Sequence, residues 1–267
     1  MFLAAIFPTT ISAQDAFQEV AETHVDHIEE FIERFNFKAV SPFYSYAKMA
    51  YPNDNVDRKK VLNALFDKRK SALLPDSVKK HFIADITDSE RPVYLDIYDA
   101  LWYASIPVEI KVDSVKMGMT ITLEIQLNSD YSIEWSIVGI NSPSLDNVQA
   151  TDRFYISASS HATFFPELYT ALASSTIFRS VVSDSQQESN TDKYLKLIAG
   201  KTVTNITIKK GIKYHFLQIS GWIMTVEYAP QDYSFNTGWL ISEVKSVDSF
   251  LDKRLYQNKI LGINSIN

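Results

Sequence analysis

The sequence lacks cysteine and has little glycine, and each absence excludes a class of protein. With no cysteine among its 267 residues, the chain has no disulfide framework, thiol nucleophile or thiolate metal site. Its seven glycines are too few and too scattered for the glycine-rich loops that bind nucleotide phosphates. No run approaches the roughly 18 consecutive apolar residues of a membrane-spanning helix. The sequence therefore predicts no integral membrane segment.

Positive charge is also scarce. Twenty-six Lys and Arg residues stand against 32 Asp and Glu, for a net charge of −6. Because general nucleic-acid binding depends on an excess of cationic side chains, nucleic acid is not an expected partner. The cations at Lys59-Lys60 and at 68–70 are interpreted as a solvated helix face.

The first thirteen residues have the pattern of an export signal. Residues 1–13 carry no charge, and an apolar run, Phe2–Phe7, is followed by the small residues Ser12 and Ala13. This is typical of a secretory signal peptide and its cleavage site, although the usual positive residues at the start are missing. We therefore expect an extracytoplasmic protein, either periplasmic or secreted. Because Gln14 stands where a lipoprotein has its cysteine, we expect that it is not lipid-anchored. The alternative is an N-terminal core strand.

The remainder of the chain carries helix patterns followed by strand patterns, and this order occurs twice. In the first half, apolar spacings predict a long helix over residues 14–37, and Asp57 is the expected N-cap of a second helix. In the second half, helices are predicted at 164–172 and 191–199. Alternating runs predict antiparallel strands with one buried face. They lie at 108–112, 120–127, 131–140, 203–208, 213–219, 222–228 and 238–244.

A polar break separates the two series of elements. Asn141-Ser-Pro-Ser144 is the strongest linker signal in the middle of the chain. We therefore expect two units, residues 14–144 and 150–245, and a tail, 246–267, that forms a short helix. The predicted fold class is α+β, with helices packed on a curved antiparallel sheet in each unit.

Two further features concern the relation between these units. Trp135 and Trp239 both occur in an aromatic-x-x-x-Trp-x-Ile pattern, which indicates an internal duplication. Between the units, the apolar residues at 154–156 need burial, and we expect them to dock the units rigidly, with a groove edged by His161 at the seam. The alternative is a strand-like connector on the surface of one unit.

The element order resembles that of the NTF2-like or cystatin-like α+β superfamily. That resemblance implies a cone whose open end often holds a small ligand, and in some members an Asp–His pair that serves an isomerase or dehydratase, whereas other members only bind or dimerise. Three segments also resemble a family of exported bacterial proteins, namely HIEEFIERFN at 27–36, FYISASSH at 154–161 and GWLIS at 238–242. The second resemblance implies compartment and fold, and no chemistry.

Candidate catalytic residues are few, and each has a structural alternative. His215 lies in an alternating strand and could form an acid–base pair with a carboxylate such as Glu227 if that strand face lines a cavity. The commoner alternative is a histidine on a solvated face. His161 follows several serines near a helix start and could help to bind an anion, or it could hold a loop by hydrogen bonding.

A metal or cofactor is not expected. His24 and His27, with Glu30 one turn later, share a helix at a spacing that metal sites use. No further histidine or carboxylate cluster accompanies them, so a helix face with one buried histidine is the preferred interpretation.

Aromatic side chains are the most abundant binding feature. The candidate ligand-binding residues are Trp102, Trp135, His161, Trp222 and Trp239, because aromatic rings stack on sugars and line apolar pockets. Core packing is the default alternative for the tryptophans.

These patterns predict a class of function but do not identify a particular ligand. Because no nucleophile, acid–base or metal set converges in the sequence, we expect an exported, non-catalytic binding or interaction protein whose partner is a small molecule, a glycan or a protein. The alternative is a small-molecule enzyme, an isomerase, dehydratase or hydrolase, that uses a cone-shaped pocket.

Overall fold

The fold is taken from a computed structural model. It describes residues 27–52, 55–71, 73–99, 101–127, 133–143, 201–209, 211–230 and 236–263, with a few helical residues between 168 and 198. The predicted signal peptide at 1–13, His24, the apolar residues at 154–156 and His161 lie outside the described residues.

The N-terminal part of the described chain is helical. Its helices are α1 (Ile28–Asn36), α2 (Pro42–Ala50), α3 (Arg58–Ala64), α4 (Lys68–Ser71) and α5 (Asp76–Ile86). The side chain of Ser41 caps α2 by accepting the Tyr44 N–H, and that of Asp57 caps α3 by accepting the Lys60 N–H. The N-cap predicted at Asp57 is therefore confirmed.

Helix α1 shows why this region packs as it does. Its apolar residues Ile28, Phe31 and Phe35 recur at helical spacing and are at most 2% exposed. The helix ends where Phe37 adopts a left-handed backbone, with φ of 44°. A helix at 28–36 is thus confirmed, but the single long helix predicted over 14–37 is wrong at His27, whose extended backbone starts a new helix as its N-cap.

All seven strands among the described residues belong to one antiparallel sheet. Their bounds are β1 (Trp102–Val112), β2 (Val115–Leu127), β3 (Ile133–Asn141), β4 (Val203–Ile208), β5 (Lys213–Phe216), β6 (Trp222–Ala229) and β7 (Gly238–Ser246). The strand order is β3-β2-β1-β5-β6-β7, and β4 pairs with β1 alongside β5. The predicted α+β class, with helices on an antiparallel sheet, is confirmed.

The expectation of a separate sheet in each half of the chain is wrong. Strand β1 pairs with β2 of its own half and with β5 of the other half, where Tyr103 lies opposite His215. The cause is that β1 is a central strand, because residues 102–106 are all buried and both of its edges are paired. Trp135 lies on β3 and Trp239 on β7, at opposite edges of this sheet, and the duplication stays a prediction.

One face of the sheet packs against the N-terminal helices. On β1 the residues Trp102, Ala104, Ile106, Val108 and Ile110 point to this side and are at most 2% exposed. They form one core with apolar residues of α1, α3 and α5. Each fully buried large side chain contributes about 1.5–3 kcal/mol to folding, so this face holds most of the stabilising apolar contact.

The second half of the chain adds to the same core. The ring of Phe216 on β5 lies 5.3 Å from that of Trp102 and 6.1 Å from that of Phe31, both in stacked geometry. Leu172 and Tyr194, from the two helices predicted in the second half, are helical and buried in this core. The described residues of those helices therefore confirm the prediction.

The opposite face of the sheet is covered by a C-terminal helix, α6 (Phe250–Lys259). Ser249 and Asp252 form a reciprocal capping box at its start. Leu261 and Val247 beside the helix pack against Tyr103 and neighbouring strand residues. The short helix predicted in the tail is thus confirmed. None of the helices among the described residues has the length and apolar character needed to cross a membrane.

Candidate functional site

The contact between α6 and the sheet is unusually polar. Strand alternation points every second side chain of β1, β2, β5 and β6 toward α6, and several of these side chains are polar and buried. We call this set, with its partners on α6, the polar layer. It consists of Tyr103, Ser105, Glu124, His215, Thr225, Tyr256 and Gln257.

His215 lies at the centre of the polar layer and is 3% exposed. Its Nε2 is 2.7 Å from the Ser105 hydroxyl and its Nδ1 is 2.8 Å from the Tyr256 hydroxyl. A neutral imidazole donates from one ring nitrogen and accepts at the other, so both nitrogens are satisfied. Burial, reinforced by the charge of Lys213 and opposed by Glu227, lowers the pKa of His215 to about 4. The imidazole is therefore neutral near pH 7.

Glu124 forms a second chain of hydrogen bonds in the polar layer. The Tyr103 hydroxyl accepts from Gln257 Nε2 at 2.7 Å and donates to the Glu124 carboxylate. Burial raises the pKa of Glu124 to about 7, while the Tyr103 hydrogen bond acts in the opposite direction. Near neutral pH this carboxyl group is therefore partly protonated.

The Ser105–His215 contact has the nucleophile–base geometry of serine hydrolases, but its surroundings do not suit that chemistry. Ser105 is 7% exposed beneath α6, and the group at Nδ1 is the phenol of Tyr256, whose pKa is raised by burial. A neutral phenol does not stabilise an imidazolium as a carboxylate does. A histidine pKa of about 4 also makes a weak general base near pH 7. The arrangement fits a structural hydrogen-bond network.

The predicted acid–base partner of His215 is engaged elsewhere. Glu227 lies on the same sheet face but forms ion pairs with Lys70 at 2.7 Å and Lys213 at 3.2 Å. Although burial acts to raise it, the contacts with Lys70 and Lys213 hold the pKa of Glu227 below its ordinary value. The hydrogen-bond partners of His215 are thus Ser105 and Tyr256.

A groove runs beside the outer side of α6, where the end of β7 meets the helix. Its volume is about 320 Å³. Asp248 and Asp252 supply negative charge and Lys245 and Lys259 positive charge, with apolar side chains between them. The full lining is Lys245, Ser246, Val247, Asp248, Asp252, Leu255, Tyr256, Lys259 and Ile260.

The outer side of α6 is apolar and exposed. On this side Leu251 is 66% exposed and Leu255 45%, and Ile260, the C-cap residue at the end of the helix, is 51% exposed. Facing the sheet, the same helix buries Gln257 and binds the backbone carbonyls of Leu217 and Ile219 through Lys253. Surface helices normally bury their apolar side and expose their polar side. Helix α6 departs from this rule, because it exposes Leu251 and Leu255 and buries Gln257.

The four tryptophans proposed as ligand-binding residues do not meet at one surface. Trp102, Trp135, Trp222 and Trp239 are each at most 2% exposed and belong to the core, which is the alternative that the sequence left open. The indole N–H of Trp102 donates to the Ile97 carbonyl, so the polar atom of this buried side chain has a hydrogen-bond partner.

The predicted absence of a metal site rests on sequence alone. His27 is exposed and serves as the N-cap residue of α1, with no side-chain capping bond. The residues that the structure describes include no group of three or more His, Asp or Glu side chains able to hold a metal ion.

Several members of the polar layer could not be predicted from the sequence. Ser105 and Glu124 each had a signal, because a polar residue at a period-two strand position faces the side opposite the core. Tyr256 lies on α6 and had no such signal. A strand face opposite the core is ordinarily solvated, and nothing in the sequence indicates that α6 covers this one.

Comparisons with known proteins give no relative: no protein-family model, curated protein sequence or solved structure matches the chain. The function is therefore inferred from the geometry of the site.

Proposed function

We propose that the chain is an exported, non-catalytic binding or interaction protein, and that its binding surface is the outer side of α6 with the adjoining groove. The observation that carries the proposal is the reversed polarity of α6. Leu251 and Leu255 form an apolar i, i+4 stripe that faces outward, while the buried side of the helix makes hydrogen bonds.

Energetics support a binding role for this surface. An exposed leucine gains about 1.5–3 kcal/mol when it is fully buried, so several neighbouring apolar side chains form a favourable contact surface. The groove beside them supplies charges of both signs at Asp252 and Lys259. An apolar strip rimmed by polar groups is typical of interaction sites.

The enzyme alternative has less support. Its best observation is the Ser105–His215 contact of 2.7 Å, which would make the chain a hydrolase. We expect no hydrolysis of a small activated ester above the background rate. Turnover that disappears in Ser105→Ala would contradict the non-catalytic proposal.

Export is supported by the uncharged apolar start of the sequence and by the small residues before Gln14. We expect the mature chain recovered from its native cell to begin at Gln14 and to lie outside the cytoplasm. N-terminal sequencing that finds Met1 on a cytoplasmic chain would contradict export.

Binding is tested by thermal shift against sugars, peptides and lipid vesicles. A ligand that binds only the folded state raises the melting temperature as its concentration exceeds Kd. The shift should be lost in Leu255→Glu, which places a charge in the groove. It should be retained in Met49→Glu, a matched control at a residue 77% exposed on α2. A shift unaffected by Leu255→Glu would contradict the assignment to this surface.

A further inference from the structure

The residues on the outer side of α6 are arranged in a way that fits a copy of the same helix. An α-helix turns about 100° per residue, so Leu251, Leu255, Lys259 and Asp252 lie within an arc of about 100°. The stripe therefore presents two leucines together with one acidic and one basic side chain. Asp252 and Lys259 flank Leu255 on its two sides along the helix axis.

Charge order along the helix selects the orientation of the partner. The acidic group lies near the N-terminus of α6 and the basic group near its C-terminus, seven residues apart. An antiparallel copy related by a two-fold axis places Asp252 of each helix beside Lys259 of the other. A parallel copy would place like charges together. A lipid surface, which attracts helices with a cationic polar face, does not use the aspartates.

We propose that the chain forms a two-fold symmetric dimer in which α6 packs antiparallel against α6 of a second copy, with Leu255 at the axis. This inference rests on the proposed function, because it names the occupant of that binding surface. Leu255 of each copy contacts its equivalent, and the two Asp252–Lys259 pairs flank this contact. Isologous contacts of this kind are self-complementary by symmetry.

The dimer should be weak. One short helix from each subunit gives an interface at the low end of protein–protein contact areas. We therefore expect an exchange between monomer and dimer that depends on protein concentration in the micromolar range, and analytical ultracentrifugation across that range measures it.

A residue on a two-fold axis meets itself, and this property gives a specific test. Leu255→Glu brings two carboxylates together and Leu255→Lys two ammonium groups, so each variant alone should be monomeric. An equimolar mixture should recover a dimer that contains one copy of each variant. Lys259→Glu should weaken the wild-type dimer at least tenfold in Kd, whereas Met49→Glu should leave Kd unchanged.

Two results would contradict the proposed dimer. A wild-type chain that stays monomeric up to high micromolar concentration, or a mixture of the two Leu255 variants that stays monomeric, would overturn the dimer. Unchanged melting curves for both variants at low concentration exclude unfolding as the cause. Failure of the dimer leaves the proposed function standing if a ligand still gives a Leu255-dependent thermal shift, and the two failures are therefore distinguishable.

Discussion

Burial shifts the pKa values of two residues of the polar layer in opposite directions. Burial favours the neutral form of His215, whose pKa falls from 6.5 to about 4. Burial also favours the neutral form of Glu124, whose pKa rises from 4.5 to about 7. The lowered pKa of His215 makes stability rise with pH between about 4 and 6.5. The raised pKa of Glu124 makes stability fall as pH rises between about 4.5 and 7. In the range where both act, the two contributions offset each other.

Because the two contributions offset each other, replacing one residue should reveal the pH dependence of stability that the other contributes. In Glu124→Gln the carboxyl contribution is removed, so the free energy of unfolding should rise with pH between about 4 and 6.5. In His215→Gln it should fall between about 4.5 and 7. The slope approaches at most about 1.4 kcal/mol per pH unit for one proton. Urea unfolding at several pH values measures both slopes. Profiles parallel to that of the wild type would contradict the assigned pKa shifts.

At the scale of elements, α6 is held by a close approach of backbones. The Thr122 hydroxyl donates to the Leu261 carbonyl at 2.7 Å. A Cβ at Gly139 would lie 2.5 Å from that same carbonyl oxygen and 3.0 Å from Gly262. Glycine at 139 therefore allows the segment after α6 to lie directly on β3.

Gly139→Ala should loosen this contact. Because the alanine methyl group would clash with backbone atoms, we expect a loss of about 1–3 kcal/mol in the free energy of unfolding. Gly118→Ala on β2 is the matched control, since a Cβ there meets no atom within 4 Å. Denaturant unfolding measures both variants. Equal stability of the two would show that the segment after α6 is not packed against β3.

Local patterns predicted most elements, because their causes are local. The apolar stripe of Phe31 and Phe35 is visible at helical spacing, and the Asp57 cap and the tail helix follow from neighbouring residues. The site was harder to predict. Ser105 and Tyr256 meet His215 only because a distant helix covers that strand face, and no local pattern encodes such a covering.

At the scale of the whole molecule, the halves share one sheet and one main core. The ring stack of Phe31, Phe216 and Trp102 contains residues from both halves. The sequence could not predict this, because nothing local to β1 specifies which strands pair with its edges, and the polar break at residues 141–144 indicated two separate units. Pairing between distant strands depends on the complete core.

A shared sheet predicts one cooperative unfolding transition for the described fold. Ile121→Val on β2 and Ile241→Val on β7 should each lower its midpoint, at a cost of about 0.5–1.5 kcal/mol. Both residues are at most 1% exposed. Calorimetry measures the effect. Two transitions, each moved by only one of the variants, would show that the halves unfold independently.

The position of β1 also determines when the fold can be completed. Ser105 and its contact His215 are 110 residues apart in the chain, and β5 must be present before the central strand has both of its neighbours. A chain synthesised from its N-terminus thus leaves one edge of β1 unpaired until most of its length has emerged. Distant contacts of this kind slow folding. Because β4, β5, β6 and β7 all follow residue 202, the sheet stays incomplete until the last third of the chain is made.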